Sequence, residues 1–131
     1  MAGVEFLEPY ARSLLRLVTG FTFSFHGLQK LFGLFGGMGG GHAHFISLPW
    51  VAGFLEVFGG VLMLVGLFTA PVAFLLSGEM AVAYFTAHFP HGFLPVQNRG
   101  ELAVLYCFIF LYLSVAGAGP VSADHLFRKK G

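Results

Sequence analysis

The sequence predicts an all-α integral membrane protein in which four helices form one bundle. Of its 131 residues, 56% are hydrophobic and 10% are charged, and the mean hydropathy is +0.80. Soluble domains carry about 25% charged residues, so the composition indicates a membrane protein. At about 20 residues per span, the chain has room for about four spans. We therefore expect residues 1–131 to form a single transmembrane domain.

Four apolar stretches, each bounded by proline, glycine or charge, are the predicted spans: about 11–34, 50–68, 71–88 and 101–118. Pro9, Pro49 and Pro71 stand at the starts of the first three spans. The N–H groups in the first turn of a helix have no partner within the helix, so a proline there costs no hydrogen bond. The glycines near the ends of the spans suit left-handed helix caps.

Small residues within the spans predict close contact between helices. Gly27 lies in the first span, and Gly59 and Gly60 lie in the second. Residues without a bulky side chain let the backbones of membrane helices approach each other. We therefore assign these three glycines a structural role.

The distribution of basic residues predicts the orientation in the membrane. With four spans, both termini lie on one side, and that side carries Arg12, Arg16, Arg128, Lys129 and Lys130. The opposite side carries Arg99 and Lys30. The positive-inside rule then places both termini in the cytoplasm. The apolar run after Arg16 is too long for a cleaved signal peptide, so we expect an uncleaved first span.

The polar residues of the spans fall mostly in the outer half of the predicted bundle: His26, Lys30, Glu56, Glu79, His88 and Glu101. Inserting a charged side chain into the membrane costs about 2.5 to 3.5 kcal/mol of free energy. Such groups therefore usually face the bundle interior and pair with one another. Lys30 and Glu56 are the natural pair, with Glu79 a second candidate, and His26 lies on the face of Lys30. We predict a polar pocket open toward the outer surface. Alternatively, Lys30 only extends to the headgroups.

Four histidines of the predicted outer loops offer a different kind of site: His42, His44, His88 and His91. Their spacings of two and three residues could converge on copper or zinc. A flexible glycine-rich loop does not hold ligands in position, however. We favour histidines that face solvent and expect no metal.

Other function classes are excluded by composition. Seven Lys and Arg against six Asp and Glu give a net charge of +1, so the chain is not predicted to bind nucleic acid. Cys107 is the single cysteine and cannot form an internal disulfide. No nucleotide- or flavin-binding motif is present.

The segments "GFTFSFHGLQKLFG", "GFLEVFGGVLMLVGLFTAPVA" and "AVAYFTAHFPHGFLPVQNRGELAVLYCFIFLYLSVAGAGPVSADHL" together resemble the DoxX family of small bacterial membrane proteins. The resemblance implies a four-helix bundle in the bacterial inner membrane. The family pattern falls on Gly27, Lys30, Glu56, Gly59, Gly60, Glu101 and the ending "GPVSADHL". In that ending the family more often has Ser-Leu-Asp, whereas Ala123 stands between Ser122 and Asp124 here.

The resemblance implies a membrane subunit of a redox system, because the family name comes from subunits associated with a quinol oxidase and a thiosulfate:quinone oxidoreductase. We expect a quinone or similar apolar carrier in the outer pocket, with His26 and Lys30 donating to its carbonyl oxygens. Glu56, His88 and Glu101 would relay protons. Whether the chain itself catalyses a reaction stays open.

Three alternatives remain. The chain could be a non-enzymatic scaffold or accessory subunit of a larger complex, with the polar residues holding helices together. It could handle copper or zinc through the loop histidines, or it could be a transporter. In each case the expected partners are membrane lipid and either other proteins or further copies of this chain.

Overall fold

The computed structural model describes residues 3–37 and 41–130, with the side chains of residues 129 and 130 outside the description. All regular secondary structure in these ranges is helical. The helices are α1 Glu8–Phe32, α2 Leu48–Val65, α3 Thr69–Ala83, α4 Pro95–Asn98, α5 Glu101–Ala116 and α6 Ala123–Lys130. A 3-10 turn precedes α1 at Glu5–Leu7. Beyond α3 the chain continues as a π-helical turn, Tyr84–His88, and a 3-10 turn, Phe89–His91.

Local sequence signals explain where the long helices begin and end. Pro9 lies in the first turn of α1, and the Ser47 hydroxyl caps α2 by accepting from the Trp50 backbone N–H at 3.3 Å. Gly33 ends α1 with φ 69°, and Gly66 ends α2 with φ 74°. This left-handed conformation is strained for residues with a side chain, so glycine is favoured as the residue that ends a helix.

Two helical segments within residues 3–37 and 41–130 are long and apolar enough to cross a membrane, Leu48–Val65 and Thr69–His91. Glu101–Ala116 is a shorter apolar helix. The first predicted span corresponds to α1, which carries Arg12, Arg16 and Lys30 along its length. The structure therefore supports the membrane interpretation for the second and third predicted spans by length and composition.

The long helices run antiparallel to their neighbours in the chain. α1 packs mainly against α2, α3 packs mainly against α5, and α2 also contacts α3. The core between them contains Phe23, Met63, Leu76, Tyr106 and Phe110. The Phe23 ring meets the rings of Tyr106 and Phe110 edge-on, each at a centroid distance of 4.9 Å. As a result, the N-terminal end of α1 and the C-terminal end of α5 lie at the same end of the molecule, which we call the basal end.

Close contact between α1 and α2 depends on glycines of both helices. A Cβ atom on Gly27 would lie 2.6 Å from the carbonyl oxygen of Gly53, and one on Gly60 would lie 2.8 Å from Cβ of Ser24. Gly59 instead faces α3, where a Cβ atom would lie 2.7 Å from a methyl carbon of Leu76. The contacts of Gly27, Gly59 and Gly60 confirm the structural role predicted from the sequence, and Gly53 joins them as a glycine that was not predicted.

Arg16 is buried at the basal end rather than exposed on its surface, with a relative exposure of 1%. Its guanidinium donates to the carbonyl oxygens of Ala118 at 3.2 Å and Val121 at 2.8 Å. Besides the role in membrane orientation predicted from the sequence, this arginine anchors the "GAGPVS" segment to α1.

Asp124 joins α6 to the start of α3. Its carboxylate accepts from the backbone N–H groups of Phe68 at 2.8 Å and Thr69 at 2.9 Å, where a helix has unpaired donors. We expect Asp124→Ala to lower the free energy of unfolding by about 1 to 2 kcal/mol, measured by denaturant titration in detergent micelles. Asp124→Asn keeps one acceptor oxygen and should lose about half as much. Unchanged stability of Asp124→Ala would contradict this role.

Candidate functional site

The polar side chains singled out from the sequence gather at the end opposite the basal end, around two adjoining cavities. The larger, which we call the α2/α3 groove, encloses about 600 Å³. Its walls are apolar and include Leu55, Phe74, Leu75 and Val82. Phe74, Leu75 and Val82 are exposed, so the groove opens sideways, on the part of the α2 and α3 surface that faces away from the core.

Two charged residues, Lys30 and Glu79, and the hydroxyl-bearing Thr86 line this mainly apolar groove. Ligand-binding pockets typically enclose 300 to 1,000 Å³ and combine apolar walls with a few polar groups that orient the ligand. The α2/α3 groove has this form. Gly78 also lines it, and a Cβ atom added there would meet no protein atom within 4 Å.

The smaller cavity, which we call the inner cavity, encloses about 240 Å³ and is lined by residues of α1, α2, α3 and α5. Its polar lining consists of His26, Lys30, Glu56, His88, Arg99 and Tyr106. Lys30 and Ala83 line both cavities, so the two spaces meet at the Lys30 side chain.

An ion pair connects α1 to α2 at this junction. The Lys30 Nζ atom lies 2.5 Å from Oε1 of Glu56, and the two side chains are 21% and 1% exposed. The other Glu56 oxygen and both oxygens of Glu79 are buried and receive no hydrogen bond from the residues that the structure describes. The junction therefore combines the Lys30 ammonium, which has further N–H groups beside the one that contacts Glu56, with buried carboxylate oxygens that have no donor among the described residues.

His88 enters the inner cavity from the π-helical turn that follows α3. Its Nδ1 atom lies 3.2 Å from the carbonyl oxygen of Asn98. Because a carbonyl oxygen can only accept, Nδ1 must carry the proton, which leaves Nε2 as the acceptor nitrogen of the neutral ring. Asn98 is buried and its amide donates to Gly92 O at 2.7 Å and to the Tyr84 hydroxyl at 3.1 Å. The 84–98 segment thus sets the tautomer of His88.

His26 lies one helical turn before Lys30, as its spacing predicts. Its ring meets the Tyr106 ring edge-on at a centroid distance of 5.9 Å. The Tyr106 hydroxyl donates to Thr22 at 2.9 Å, so its proton is already engaged within the protein. His26 and Tyr106 therefore form a wall of the inner cavity on the side of α1 and α5.

The structure brings five of the six predicted ligand-binding residues to the two cavities. Glu101 is the exception, since it is exposed in the first turn of α5 and lines neither cavity. Arg99 lines the inner cavity, but the sequence analysis used it only as an orientation signal. It has φ 63° and ends α4. A non-glycine residue in this conformation often marks a functional site, but the backbone angle is not visible in a sequence.

The four loop histidines do not converge. His42, His44 and His91 are exposed, whereas His88 lines the inner cavity. In the part of the chain that the structure describes, no group of three or more His, Cys, Asp or Glu side chains is placed to hold a metal ion.

Comparison with known proteins gives two matches of interest. A family model described as DoxX matches residues 11–89. An uncharacterized protein of Haemophilus influenzae is 41% identical over 135 residues, and the alignment covers 99% of this chain and 100% of that protein. No solved structure matches the chain. DoxX proteins are membrane-associated, in agreement with the two long apolar helices. The chain belongs to the DoxX family.

Proposed function

We propose that this DoxX protein crosses the bacterial inner membrane four times, with both termini in the cytoplasm, and binds a quinone in the α2/α3 groove. It would serve there as a membrane subunit of a redox system. The observation that carries the proposal is the groove itself, a large apolar space with Lys30 and Glu79 in its wall.

The outward-facing side chains support the membrane placement. Every long helix exposes large apolar residues, among them Phe21, Phe58, Phe74 and Phe108, which are 51%, 57%, 68% and 62% exposed. Water-soluble monomers rarely expose contiguous apolar surface on this scale, whereas lipid tails cover it without cost. The 18 residues of α2 extend about 27 Å, close to the thickness of the hydrocarbon core.

The chemistry of the groove suits a quinone in either oxidation state. The ring carbonyls of a quinone accept hydrogen bonds, which the Lys30 ammonium can donate beside its bond to Glu56. The hydroxyl groups of a quinol donate, and the buried oxygens of Glu79 can accept. An isoprenoid tail would lie against Phe74, Leu75 and Val82 and leave the groove toward lipid. A bound quinone would supply the redox chemistry, and this chain would orient the ring and exclude water.

Filling the groove tests the proposal directly. Gly78→Leu adds a side chain to the groove at a position where an added Cβ atom meets no protein atom within 4 Å, and Ala70→Leu adds the same side chain to an exposed position of α3 outside the groove. Binding of a decyl-substituted benzoquinone can be followed by fluorescence quenching of Trp50, the single tryptophan, whose neighbours Pro49 and Val51 line the groove. We expect Gly78→Leu to weaken binding by about tenfold or more, because its side chain takes the space of the ring. Ala70→Leu should bind as the wild type does.

The polar contact is tested by a second matched pair. Glu79→Gln removes an acceptor oxygen inside the groove, whereas Glu101→Gln makes the same change on the surface of α5. Only Glu79→Gln should weaken binding of the quinol form. Unchanged affinity in both Gly78→Leu and Glu79→Gln would refute the α2/α3 groove as the quinone site.

The second candidate function is a non-enzymatic accessory subunit. The Lys30–Glu56 ion pair favours this second candidate. The pair joins α1 to α2, and its Glu56 carboxylate is almost fully buried, which suits a role in holding the helices together. In that case variants of Lys30 and Glu56 would be less stable and would fail to assemble into the larger complex. Quinone would bind neither to the wild type nor to Ala70→Leu.

A further inference from the structure

We propose that a pocket at the basal end binds the phosphate group of an anionic lipid headgroup. This basal pocket encloses about 250 Å³, and Arg12, His125 and Arg128 are the basic residues of its lining. The rest of its wall is the backbone-rich segment 116–120 and Pro9. The proposal uses the membrane placement proposed above but is independent of quinone binding.

Neither of the acidic residues nearest to this lining in sequence lines the pocket. The Glu8 carboxylate accepts two hydrogen bonds from the Arg12 guanidinium, both at 3.1 Å, and so compensates the charge of Arg12. Asp124, next to His125, caps the start of α3 through both carboxylate oxygens. Arg128 forms no salt bridge with the acidic residues that the structure describes. The basal pocket therefore has no carboxylate in its lining, and Arg128 supplies it with a cation that no described acidic residue pairs.

The wall formed by residues 116–120 leaves room for a ligand, because Ala116, Gly117, Ala118, Gly119 and Pro120 carry no bulky side chain. Gly117 and Gly119 have φ 87° and 84°, a left-handed conformation that favours glycine. The basic side chains come from two helices, Arg12 from α1 and His125 and Arg128 from α6. Basic pockets between membrane helices on the cytoplasmic side are common binding sites for anionic headgroups.

Apolar residues beside the basal pocket favour a lipid over free phosphate. Leu126 and Phe127 follow His125 on α6 and are 61% and 60% exposed. A short helix with exposed apolar residues and a basic end is typical of a segment that lies in the membrane interface. Acyl chains could lie beside Leu126 and Phe127 while the phosphate enters the pocket.

The test uses the full chain in detergent micelles, with short-chain phosphatidylglycerol, short-chain phosphatidylcholine and inorganic phosphate as separate ligands. Bound lipid is counted by native mass spectrometry. Arg128→Gln removes a positive charge from the basal pocket, and Gln97→Glu changes the net charge by the same amount at an exposed position of α4, at the opposite end of the molecule and outside the three cavities. We expect Arg128→Gln to weaken phosphatidylglycerol binding by about tenfold, while Gln97→Glu binds as the wild type does.

Selective loss of phosphatidylglycerol binding in Arg128→Gln supports the lipid headgroup. Binding of inorganic phosphate with the same dependence on Arg128, but without preference for phosphatidylglycerol, supports the phosphate site and identifies free phosphate as its source. Equal binding of phosphatidylglycerol by Arg128→Gln and wild type would overturn the proposal. An equal loss in Gln97→Glu and Arg128→Gln would also overturn it, since that result reports only the net charge of the protein.

Discussion

Lys30→Met is expected to lower the free energy of unfolding by about 3 kcal/mol. The substitution leaves the Glu56 carboxylate, which is 1% exposed, without its 2.5 Å partner. Removing one member of a buried ion pair costs about 3 to 5 kcal/mol, because the remaining charge is desolvated and unpaired. The lower end applies here because the Lys30 side chain is 21% exposed and water reaches part of it. Unfolding by sodium dodecyl sulfate in mixed micelles measures the difference.

Two control variants show whether the loss comes from the unpaired carboxylate. Arg99→Met removes an exposed cation and should change stability by less than about 0.5 kcal/mol. Lys30→Met combined with Glu56→Gln removes both charges and should recover a large part of the loss. If the double variant is less stable than Lys30→Met by the full cost of a second independent substitution, the two residues are not coupled.

Gly27→Ala is expected to lower the free energy of unfolding by about 2 to 3 kcal/mol. The added methyl group would lie 2.6 Å from the Gly53 carbonyl oxygen and 2.7 Å from both the backbone N and Cγ2 of Val57. Two of these three contacts are with the backbone of α2, so the helices must move apart, and overpacking of this kind typically costs about 1 to 3 kcal/mol. The same micelle titration measures the effect.

Gly78→Ala is the matched control for that substitution. It is also a helical glycine, but an added Cβ meets no atom within 4 Å. Alanine is intrinsically better than glycine in a helix by about 1 kcal/mol, so Gly78→Ala should be neutral or stabilising. If Gly27→Ala is equally well tolerated, the close approach of α1 and α2 is not required for stability.

The helical elements were accessible from the sequence because their signals are local. Pro9, Ser47, Gly33 and Gly66 begin or end helices through their own backbone and capping chemistry, which neighbouring residues hardly alter. The helix α6 and the π-helical turn were not predicted. A π-helical turn depends on how the end of α3 packs, and no pattern of apolar residues indicates it.

The candidate site was predictable in part. His26 and Lys30 share a face of α1 by their spacing, and Glu56 was the natural counter-charge on α2. The structure forms that pair. Glu101 had the same kind of sequence signal, yet it is exposed at the start of α5. The rotation of a helix about its axis decides which side chains face inward, and the nearly uniform apolar sequence of α5 does not specify that rotation.

The sequence by itself determined that the chain is helical, apolar and supplied with a few charges that need partners. Only the tertiary structure decided which charges meet: Lys30 pairs with Glu56, Arg16 turns inward to Ala118 and Val121, and Asp124 caps α3. Hydrophobic periodicity depends on residues within a turn or two of each other. These contacts join residues 26 to 105 positions apart, and they exist only after the helices have packed at the distances that Gly27 and Gly60 permit.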